Sequence, residues 1–328
     1  MADRIVIVGS RRAGTRVPPS EIVQMAGRCA RRPGERGHVT IIAELDDIPE
    51  IRSAFQEGSG MVVESTMSNP EVAAFHLVAE IAYGRISTRD SATKWLDRSL
   101  AALQARSGAP GDALDVLTAC GAVVEAHGFL EATHIGRVAA GMYFHPHEVR
   151  SWQENWPQVF ERDLESYDAA VAWAVSNTNM KERFRVPPEA SAEFSSEVDA
   201  VGLPYSSSCG LGSVWMSALG GEPQKCMRAS VSCLRADVGR YVSAFKGLDN
   251  ANKWGMSAFF ERLGVRVAKG IPSELEGLCS ISGVTKGMIS ELAEMGLISA
   301  DEINGNWDII RGTGSDLLIR KLMEAGFG

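Results

Sequence analysis

The N-terminal segment has a strand–helix–strand pattern that is too short to fold alone. Residues 4–9 read RIVIVG and residues 39–45 read VTIIAEL, and both runs have the β-branched, apolar composition of buried strands. Between them, Ser20 is placed to cap a short amphipathic helix. This order is typical of an α/β sheet, but about 45 residues cannot cover both faces of parallel strands. The segment therefore requires packing partners from elsewhere.

The pattern after residue 58 is helical. Residues 69–71, NPE, supply a cap, a proline for the first helical turn and an acid, which predicts a helix that begins there. Further helices are predicted over residues 90–104 and 113–120, and the turn residues 127–128, HG, lie between two apolar pairs as in a hairpin. Three helices followed by a two-stranded hairpin is the order of a winged helix, a relative of the helix-turn-helix.

Residues 134–268 are also mostly helical, with one long amphipathic stretch over residues 236–263. Arg240, Gly247 and Trp254 are spaced seven apart, so they are predicted to share one face of this helix. Such a face suits single-stranded nucleic acid, with the arginine on a phosphate or base and the tryptophan stacked on a base. On the residues alone, a core position for Trp254 is the favoured interpretation.

The tail from Lys269 is predicted to consist of short helices joined by two related glycine turns, at residues 281–286 and 310–315. Both turns resemble helix-hairpin-helix turns, in which glycines let backbone N–H groups converge on a DNA phosphate. The second turn fits better. The expected DNA contacts are Gly283, Lys286, Arg311, Gly312 and Gly314. The alternative is a pair of ordinary helix–helix connections, and five cations against nine acids predict weak binding by the tail alone.

Composition and charge argue against several classes of protein. The formal net charge of −8 disfavours a nucleic-acid protein in general, yet eight arginines within the first 40 residues can form a local basic face. The six cysteines contain no CxxC pair, so reduced and mostly buried thiols are expected. His145 and His147 lack a third ligand nearby, which favours a surface turn over a metal site.

The chain shows neither a membrane segment nor a secretory signal in its sequence. No run approaches the roughly 20 apolar residues of a membrane helix. The N-terminus lacks the apolar stretch and cleavage pattern of a signal peptide. A cytoplasmic, nucleoid-associated protein or a nuclear protein is therefore expected.

Residues 9–15, GSRRAGT, follow a strand and space their glycines as a phosphate-binding P-loop does. Thr15 and Arg16 stand where that motif requires a lysine followed by serine or threonine. No acidic pair that would hold magnesium is evident at a strand end. A working P-loop is therefore not expected here.

Residues 24–34, QMAGRCARRPG, resemble the sixth motif of superfamily-two helicases, Q-x-x-G-R-x-G-R. The matching positions are Gln24, Gly27, Arg28 and Arg31. Ala30 replaces the usual second glycine, and the flanking runs are similar to the strands beside that motif in the second RecA-like lobe. The resemblance implies that Arg31 is the arginine finger for ATP on the first lobe, with Gln24 and Arg28 beside it as catalytic residues. It also places Gly27, Arg28 and Arg31 at the nucleotide.

The resemblance continues along nearly the whole chain. Residues 76–103 are similar to the winged helix of archaeal and HelQ-type DNA repair helicases, residues 134–149 to the beginning of their ratchet domain, and residues 265–284 to their helix-hairpin-helix domain. It implies a mostly α fold with a small α/β part. The implied domains are part of RecA-like lobe two at 1–57, a winged helix at 58–133, a helical ratchet domain at 134–268 and a helix-hairpin-helix tail at 269–328.

Two departures from the family's pattern affect the expected function. Arg240 matches the arginine of the family's ratchet helix, but Gly247 stands where the family has tryptophan, and Trp254 follows one heptad later. Arg240, Lys246 and Trp254 are the expected single-strand contacts. The first RecA-like lobe and motifs four and five of the second are missing from the sequence. ATP and Mg²⁺ are therefore expected to bind only together with a partner lobe, and the chain alone is expected not to hydrolyse ATP.

The resemblance implies the C-terminal part of a HelQ-type helicase that binds single-stranded or forked DNA. Its partner would be a polypeptide that carries lobe one and the rest of lobe two, and movement along DNA would run 3′ to 5′. A natural small subunit of a split helicase and a fragment of a longer chain are both open. The alternative class is a non-enzymatic DNA-binding or protein-docking adaptor derived from a helicase tail.

Overall fold

The computed structural model describes residues 3–12, 15–30, 34–56, 65–104, 110–176, 178, 186–204, 209–220 and 223–328. The chain divides into two compact units, Met1–Ser65 and Thr66–Gly328. The described part is mostly helical and contains three two-stranded sheets, which confirms the predicted mostly α fold with a small α/β part. None of the helices in these ranges combines the length and the apolar content that crossing a bilayer requires.

The N-terminal unit is built around two parallel strands. Its elements in chain order are β1 (Arg4–Val8), β2 (Arg11–Arg12), β3 (Thr15–Arg16), α1 (Pro19–Ala26), β4 (His38–Ile42) and α2 (Ile48–Gln56). Strands β1 and β4 pair in parallel, with Arg4 opposite His38 and Val8 opposite Ile42, as the strand–helix–strand pattern predicted. Strand β4 ends earlier than expected because a 3₁₀ turn over Leu45–Asp47 precedes α2.

Helix α1 begins differently from the prediction. Pro18 occupies the capping position without a side-chain hydrogen bond, and the helix starts at Pro19. Ser20 therefore lies inside the helix and the expected Ser20 cap is wrong. The reason is that proline at the first helical position already has the required φ and has no N–H to satisfy.

The core of the N-terminal unit covers one face of its sheet. The buried side chains of this core come from β1, α1 and α2 and are Ile7, Ile22, Ala26 and Ile51. Side chains alternate between the two faces of a strand, and on the opposite face Val6 is 61% exposed, Val8 76% and Ile42 56%. The described part of this unit thus leaves an apolar sheet face open to solvent.

The second unit begins with helices and a hairpin. Its first elements are α3 (Pro70–Ala82), α4 (Arg89–Asp97), α5 (Leu100–Leu103), α6 (Pro110–Ala119), β5 (Val123–Ala126) and β6 (Phe129–Ala132). The predicted helix start is confirmed, since the Asn69 side chain accepts a 3.0 Å hydrogen bond from the Glu71 N–H. The predicted helix over 90–104 is divided in two because Ser99 caps α5 through the Ala102 N–H.

The predicted hairpin is also present, with His127 at φ 54° and Gly128 at φ 80° in its turn. Strands β5 and β6 pair antiparallel on either side of these two residues. Helices followed by a hairpin therefore occur in the expected order, and the identification of this order as a winged helix stays a prediction.

The following helices pack around an aromatic core. They are α7 (His134–Met142), α8 (Pro146–Phe160), α9 (Asp168–Ser176), α10 (Pro188–Ala200), α11 (Cys209–Leu219), α12 (Arg228–Asn252) and α13 (Ser257–Lys269). Four tryptophans from α8, α9 and α11 are buried, namely Trp152, Trp156, Trp173 and Trp215. Phe245 of α12 lies within 5.2 Å of the Trp152 ring and 5.1 Å of the Trp156 ring, measured between centroids, so α12 is anchored by aromatic contacts.

The prediction of one continuous helix over residues 236–263 is wrong. Helix α12 ends at Asn252, and Lys253 takes the left-handed conformation with φ 58°. The buried Asp249 carboxylate accepts hydrogen bonds from the Met256 N–H at 3.0 Å and the Ser257 hydroxyl at 2.5 Å, which closes the turn into α13. Gly255, expected inside a helix, lies in this turn with φ 76°.

The tail has its own small core. A 3₁₀ turn over Ser273–Leu278 is followed by α14 (Lys286–Glu294), α15 (Ala300–Gly305), α16 (Trp307–Thr313) and α17 (Asp316–Glu324). Its buried residues, among them Leu278, Ile281 and Leu292, form a cluster separate from the aromatic core. The expected short helices around glycine turns are therefore present.

Two expectations about burial are wrong. His145, expected in a surface turn, is only 5% exposed and caps α8. Of the cysteines, Cys120 and Cys279 are buried, but Cys226 and Cys233 are exposed. Within the described ranges, no three histidine, cysteine or acidic side chains come close enough to hold a metal ion.

The surroundings of His145 fix the position of its proton. Its Nδ1 accepts a 3.3 Å hydrogen bond from the His147 N–H, so a neutral ring carries its proton on Nε2. That nitrogen lies 3.2 Å from the Glu71 carbonyl oxygen and donates to it. Burial lowers the pKa of His145, against smaller opposing effects of Glu71.

We expect His145 to make the folded state less stable in mild acid. A lowered folded pKa means that the unfolded chain binds the proton first, so stability falls as the pH drops below the unfolded value of about 6.5. Replacing His145 with asparagine keeps a capping side chain but removes the titration, so His145→Asn should flatten this pH dependence. Urea unfolding between pH 7.5 and 5.5 measures the effect. His127→Asn, in the exposed hairpin turn, is the control, and equal slopes for both variants would contradict the assignment.

Candidate functional site

The N-terminal unit contains a cavity of about 820 Å³ that follows β1 and one side of α1. Its lining includes the β1 residues Ile5–Val8, then Gly9 and Arg11, and from α1 and its end Glu21, Gln24, Met25 and Arg28. Gln24 and Arg28 are one helical turn apart and both are exposed. The structure therefore brings together two of the residues that resemble the helicase motif.

The end of α1 holds Arg28 through backbone hydrogen bonds. The N–H of Gly27 donates to Val23 at 2.9 Å, that of Arg28 to Met25 at 3.1 Å and that of Cys29 to Ala26 at 3.0 Å. A cation at the C-terminal end of a helix is also favoured by the helix dipole. Gly27 thus serves as the helix cap, and its nucleotide-binding role stays a prediction.

Ala30 has a backbone conformation that suits glycine better. Its φ is 48°, in the left-handed region where a Cβ meets the following carbonyl. This is the position where the resembled motif has glycine. Arg31 follows directly and, with Arg32 and Pro33, lies outside the described residues, so its role as an arginine finger stays a prediction.

Two other N-terminal arginines are engaged by a buried acid. The Asp47 carboxylate, 3% exposed, accepts hydrogen bonds from the Ser10 hydroxyl at 2.7 Å and from Arg11 Nε at 3.2 Å. Arg16 Nε lies 2.5 Å from its other oxygen. The Ser10 and Arg11 hydrogen bonds lower the pKa of Asp47, and the Asp47 hydrogen bond raises the pKa of Arg11.

Sequence reasoning missed this cluster because it counted arginines without assigning them partners. The available signal was the acidic pair Asp46-Asp47 just beyond the second strand. The residues tested as a P-loop instead contribute to an antiparallel ribbon, in which Arg11 pairs with Arg16 and Arg12 with Thr15. The expectation that no P-loop operates here stays a prediction.

On α12, Arg240 takes part in a dense set of contacts. Its guanidinium donates from Nε to Asp237 at 2.8 Å and from Nη1 to the Tyr143 carbonyl at 2.9 Å. It also lies 4.2 Å above the Phe144 ring, measured to the centroid. The Asp237 hydrogen bond raises the pKa of Arg240. Its contact with DNA stays a prediction, and such a contact would compete with these interactions.

Gly247 is where α12 and α7 approach each other closely. A Cβ added at Gly247 would lie 2.9 Å from Val138 Cγ2, so the packing leaves no room for a tryptophan at this position. Trp254 lies beyond the end of α12 and therefore not on the face that the seven-residue spacing predicted. It is partly buried against the aromatic core, 5.9 Å from the Phe160 ring, as its core interpretation expected.

Lys246, the third expected contact on α12, forms an ion pair with Glu261 of α13. Six positions separate it from Arg240, which corresponds to about 120° around a helix at about 100° per residue. The two cations therefore do not share one face of α12. Their common role in DNA binding stays a prediction.

The two tail turns differ from each other. Gly283 takes φ 77° just before Thr285, which caps α14, and Lys286 is the first residue of that helix. In the second turn, Gly312 lies inside α16, so the prediction that it shapes the turn is wrong. Gly314 is required there because an added Cβ would meet the Ile310 carbonyl oxygen at 2.7 Å.

Arg311 stands above the Trp307 ring at 5.8 Å from its centroid. Arg311 lies on α16, one position before Gly312. The side chain predicted to contact DNA therefore extends from a helix and not from a turn. Only the first tail turn therefore has the left-handed glycine followed by a capped helix, although the sequence favoured the second.

We expect Ala30→Gly to stabilise the segment after α1. Glycine removes the Cβ conflict at φ 48°, which raises the local unfolding free energy by up to about 1 kcal/mol. Hydrogen–deuterium exchange of the Arg28 and Cys29 amides should slow accordingly. Ala26→Gly, at the last helical residue, should accelerate the same exchange because glycine weakens a helix by about 1 kcal/mol. Faster exchange in Ala30→Gly would contradict the strain argument.

Comparison with known proteins shows a partial likeness to a DNA helicase. No protein-family model matches the chain. Its sequence is similar to that of ATP-dependent DNA helicase Hel308 from Caldivirga maquilingensis, with 27% identity over 143 residues. The matched region is 40% of this chain and 19% of the relative, so it spans about a fifth of that protein. This likeness links the chain to a helicase and leaves the HelQ type a prediction.

Proposed function

We propose that this chain is a component of a DNA helicase that binds single-stranded DNA and supplies arginines to an ATP site on a partner lobe. The observation that carries the proposal is the open cavity where Gln24 and Arg28 lie together beside β1. The partial likeness to a DNA helicase supports the same class.

The sheet of the N-terminal unit supports a covering partner. In the described part of the chain β1 pairs with β4 alone, so its other edge keeps unpaired backbone groups. Parallel strands are normally covered on both faces, whereas Val6 and Val8 are exposed here. A polypeptide that carries lobe one and the rest of lobe two would extend the sheet at this edge and cover its open face.

The side chains at the cavity fit a nucleotide-facing role. Gln24 and Arg28 offer an amide and a guanidinium from one exposed face, and Arg28 is free of acidic partners among the described residues. A guanidinium placed across a lobe interface stabilises the charge that develops on a transferring phosphoryl group. ATP with Mg²⁺ supplies that group when the partner lobe binds it. Arg31 is proposed as the finger, with Arg28 and Gln24 as its neighbours.

The second unit is proposed to guide the strand. We assign residues 58–133 to a winged helix, 134–268 to a ratchet domain around α12, and 269–328 to a helix-hairpin-helix tail. In the assembled helicase, a single strand would pass α12 in the 3′-to-5′ sense expected for HelQ-type repair enzymes. This assignment places the protein with DNA, in the nucleoid or the nucleus.

A second candidate function is a non-enzymatic adaptor. The observation that favours it is the engagement of Arg240 by Asp237 and Tyr143, together with the close packing at Gly247. Side chains of α12 that are engaged in contacts within the fold are less available to bind a moving strand and dissociate from it. An adaptor would bind DNA or a partner without coupling either to ATP.

We expect Arg31→Ala to abolish ATP hydrolysis in the assembled protein. The test isolates a lobe-one polypeptide by co-purification from the native source, mixes it with the chain and measures DNA-stimulated ATPase. Loss of an arginine finger should reduce kcat by roughly a thousandfold or more, and Arg28→Ala should also reduce it. Arg36→Ala, an exposed arginine of the same segment, is the matched control.

Three results would count against the motor proposal. They are ATP hydrolysis by the chain alone, unchanged hydrolysis in Arg31→Ala, and a stable pair that binds single-stranded DNA without any ATPase. The last result would support the adaptor.

A further inference from the structure

A small basic cavity lies between α12 and the first turn of the tail. It has a volume of about 270 Å³ and is lined by Pro223, Arg228, Ser232, Arg235 and Lys286. Three of these five residues are cations. They come from two helices far apart in sequence, so the cavity exists only because the tail packs beside α12.

The lining residues that come from α12 form one stripe along a single face of that helix. Ser232 and Arg235 follow Arg228 by four and seven positions, which is the repeat of one helix face. This stripe is distinct from the face that carries Arg240, since Arg235 and Arg240 are five positions, or about 140°, apart. Lys286 completes the cavity from the N-terminal end of α14, where the helix dipole also favours an anion.

The fold holds Arg235 in place at the cavity. Its Nε donates to the Val267 carbonyl at 3.1 Å. Its guanidinium also lies against Gly270, where an added Cβ would be 2.0 Å from Nη2. Gly270 has φ 66°, so glycine both permits the turn after α13 and leaves room for the arginine.

We infer that this cavity binds a backbone phosphate of single-stranded DNA, so that the strand passes between α12 and the first tail turn. The inference rests on the proposed function and adds Arg228, Arg235 and Ser232 to the strand's contacts. Two arginines, a lysine and a hydroxyl are the side chains that most often contact DNA phosphates. The cavity is below the roughly 300 Å³ of small-molecule sites, and the described residues that line it include no aromatic ring for a base.

This position also gives the acidic tail a way to take part in binding. The tail alone has five cations against nine acids, which predicts weak attraction for a polyanion. At the cavity, Lys286 of the tail lies beside Arg228 and Arg235 of α12, so cations from both parts of the unit line the same site. The phosphate is therefore held by both parts of the unit.

The test compares two double variants that lose the same charge. Arg228→Gln with Lys286→Gln removes two cavity cations, and Arg320→Gln with Lys94→Gln removes two exposed cations elsewhere. Binding of a fluorescent oligothymidylate to the full chain is measured by anisotropy at several salt concentrations. We expect the cavity variant to bind the oligonucleotide roughly tenfold more weakly than the parent. The slope of log K against log salt concentration should be smaller in magnitude by about 0.7, because one phosphate contact is lost. The control variant should match the parent in both quantities. Thermal unfolding of all three proteins verifies that both variants fold.

The possible outcomes separate this inference from the proposed function. If both double variants bind DNA with the same affinity and the same salt slope, the cavity does not bind a DNA phosphate. That result would leave the proposed function intact. Binding of inorganic phosphate that the cavity variant loses, without any change in DNA affinity, would overturn the strand assignment in favour of a free anion. No binding of the oligonucleotide by the parent chain would overturn both proposals.

Discussion

The parallel pairing of β1 with β4 is the constraint on which the functional interpretation depends. It gives the N-terminal unit a core on one side, around Ile7 and Ile22, and leaves Val6 and Val8 exposed on the other. In the described residues, this two-stranded parallel sheet is covered on one face and unpaired at both edges, which makes it an incomplete structural layer. Gln24 and Arg28 line the cavity beside that same strand. The exposed sheet face and the side chains proposed to face a nucleotide are therefore neighbours, as expected if the proposed site is completed by another lobe.

Helix α12 shows how a surface expected to bind can be used for packing. Without a side chain at position 247, α7 approaches closely enough for Val138 to contact the glycine. Arg240 then contacts the residues at the end of α7 and the Phe144 ring. Both features hold α12 against the neighbouring helix, so close packing explains why glycine and not tryptophan stands at position 247. The contacts proposed for a strand lie on another face of the helix, where Arg228 and Arg235 line the small cavity.

Local chemistry made some elements predictable from sequence, and tertiary contacts decided the rest. Proline and acid after Asn69 act within one turn, and His127-Gly128 needs only its own backbone, so both features were predicted correctly. The end of α12 depends on the Asp249 carboxylate, which accepts hydrogen bonds from residues seven and eight positions later in the chain. Hydrophobic periodicity contains no information about such hydrogen bonds. The partners of Arg11 were missed for the same reason, because Asp47 lies 36 positions away. At the candidate site, motif spacing identified Gln24 and Arg28 as neighbours, and the short strand–helix–strand segment predicted an uncovered sheet. Neither pattern revealed the cavity that these side chains line beside β1.

The way acids and arginines pair explains why a net charge of −8 is compatible with binding phosphates. Arg11 and Arg240 already have carboxylate partners, so an incoming phosphate would have to displace Asp47 or Asp237. Exchanging one anion for another yields little net free energy, since each charged hydrogen bond gained replaces one lost. Among the described residues, neither Arg28 nor Arg228 forms an ion pair with a carboxylate, although Glu21 also lines the cavity of Arg28. A phosphate bound at those two positions would add an interaction without breaking an ion pair. The net charge conceals that difference because it counts all arginines alike.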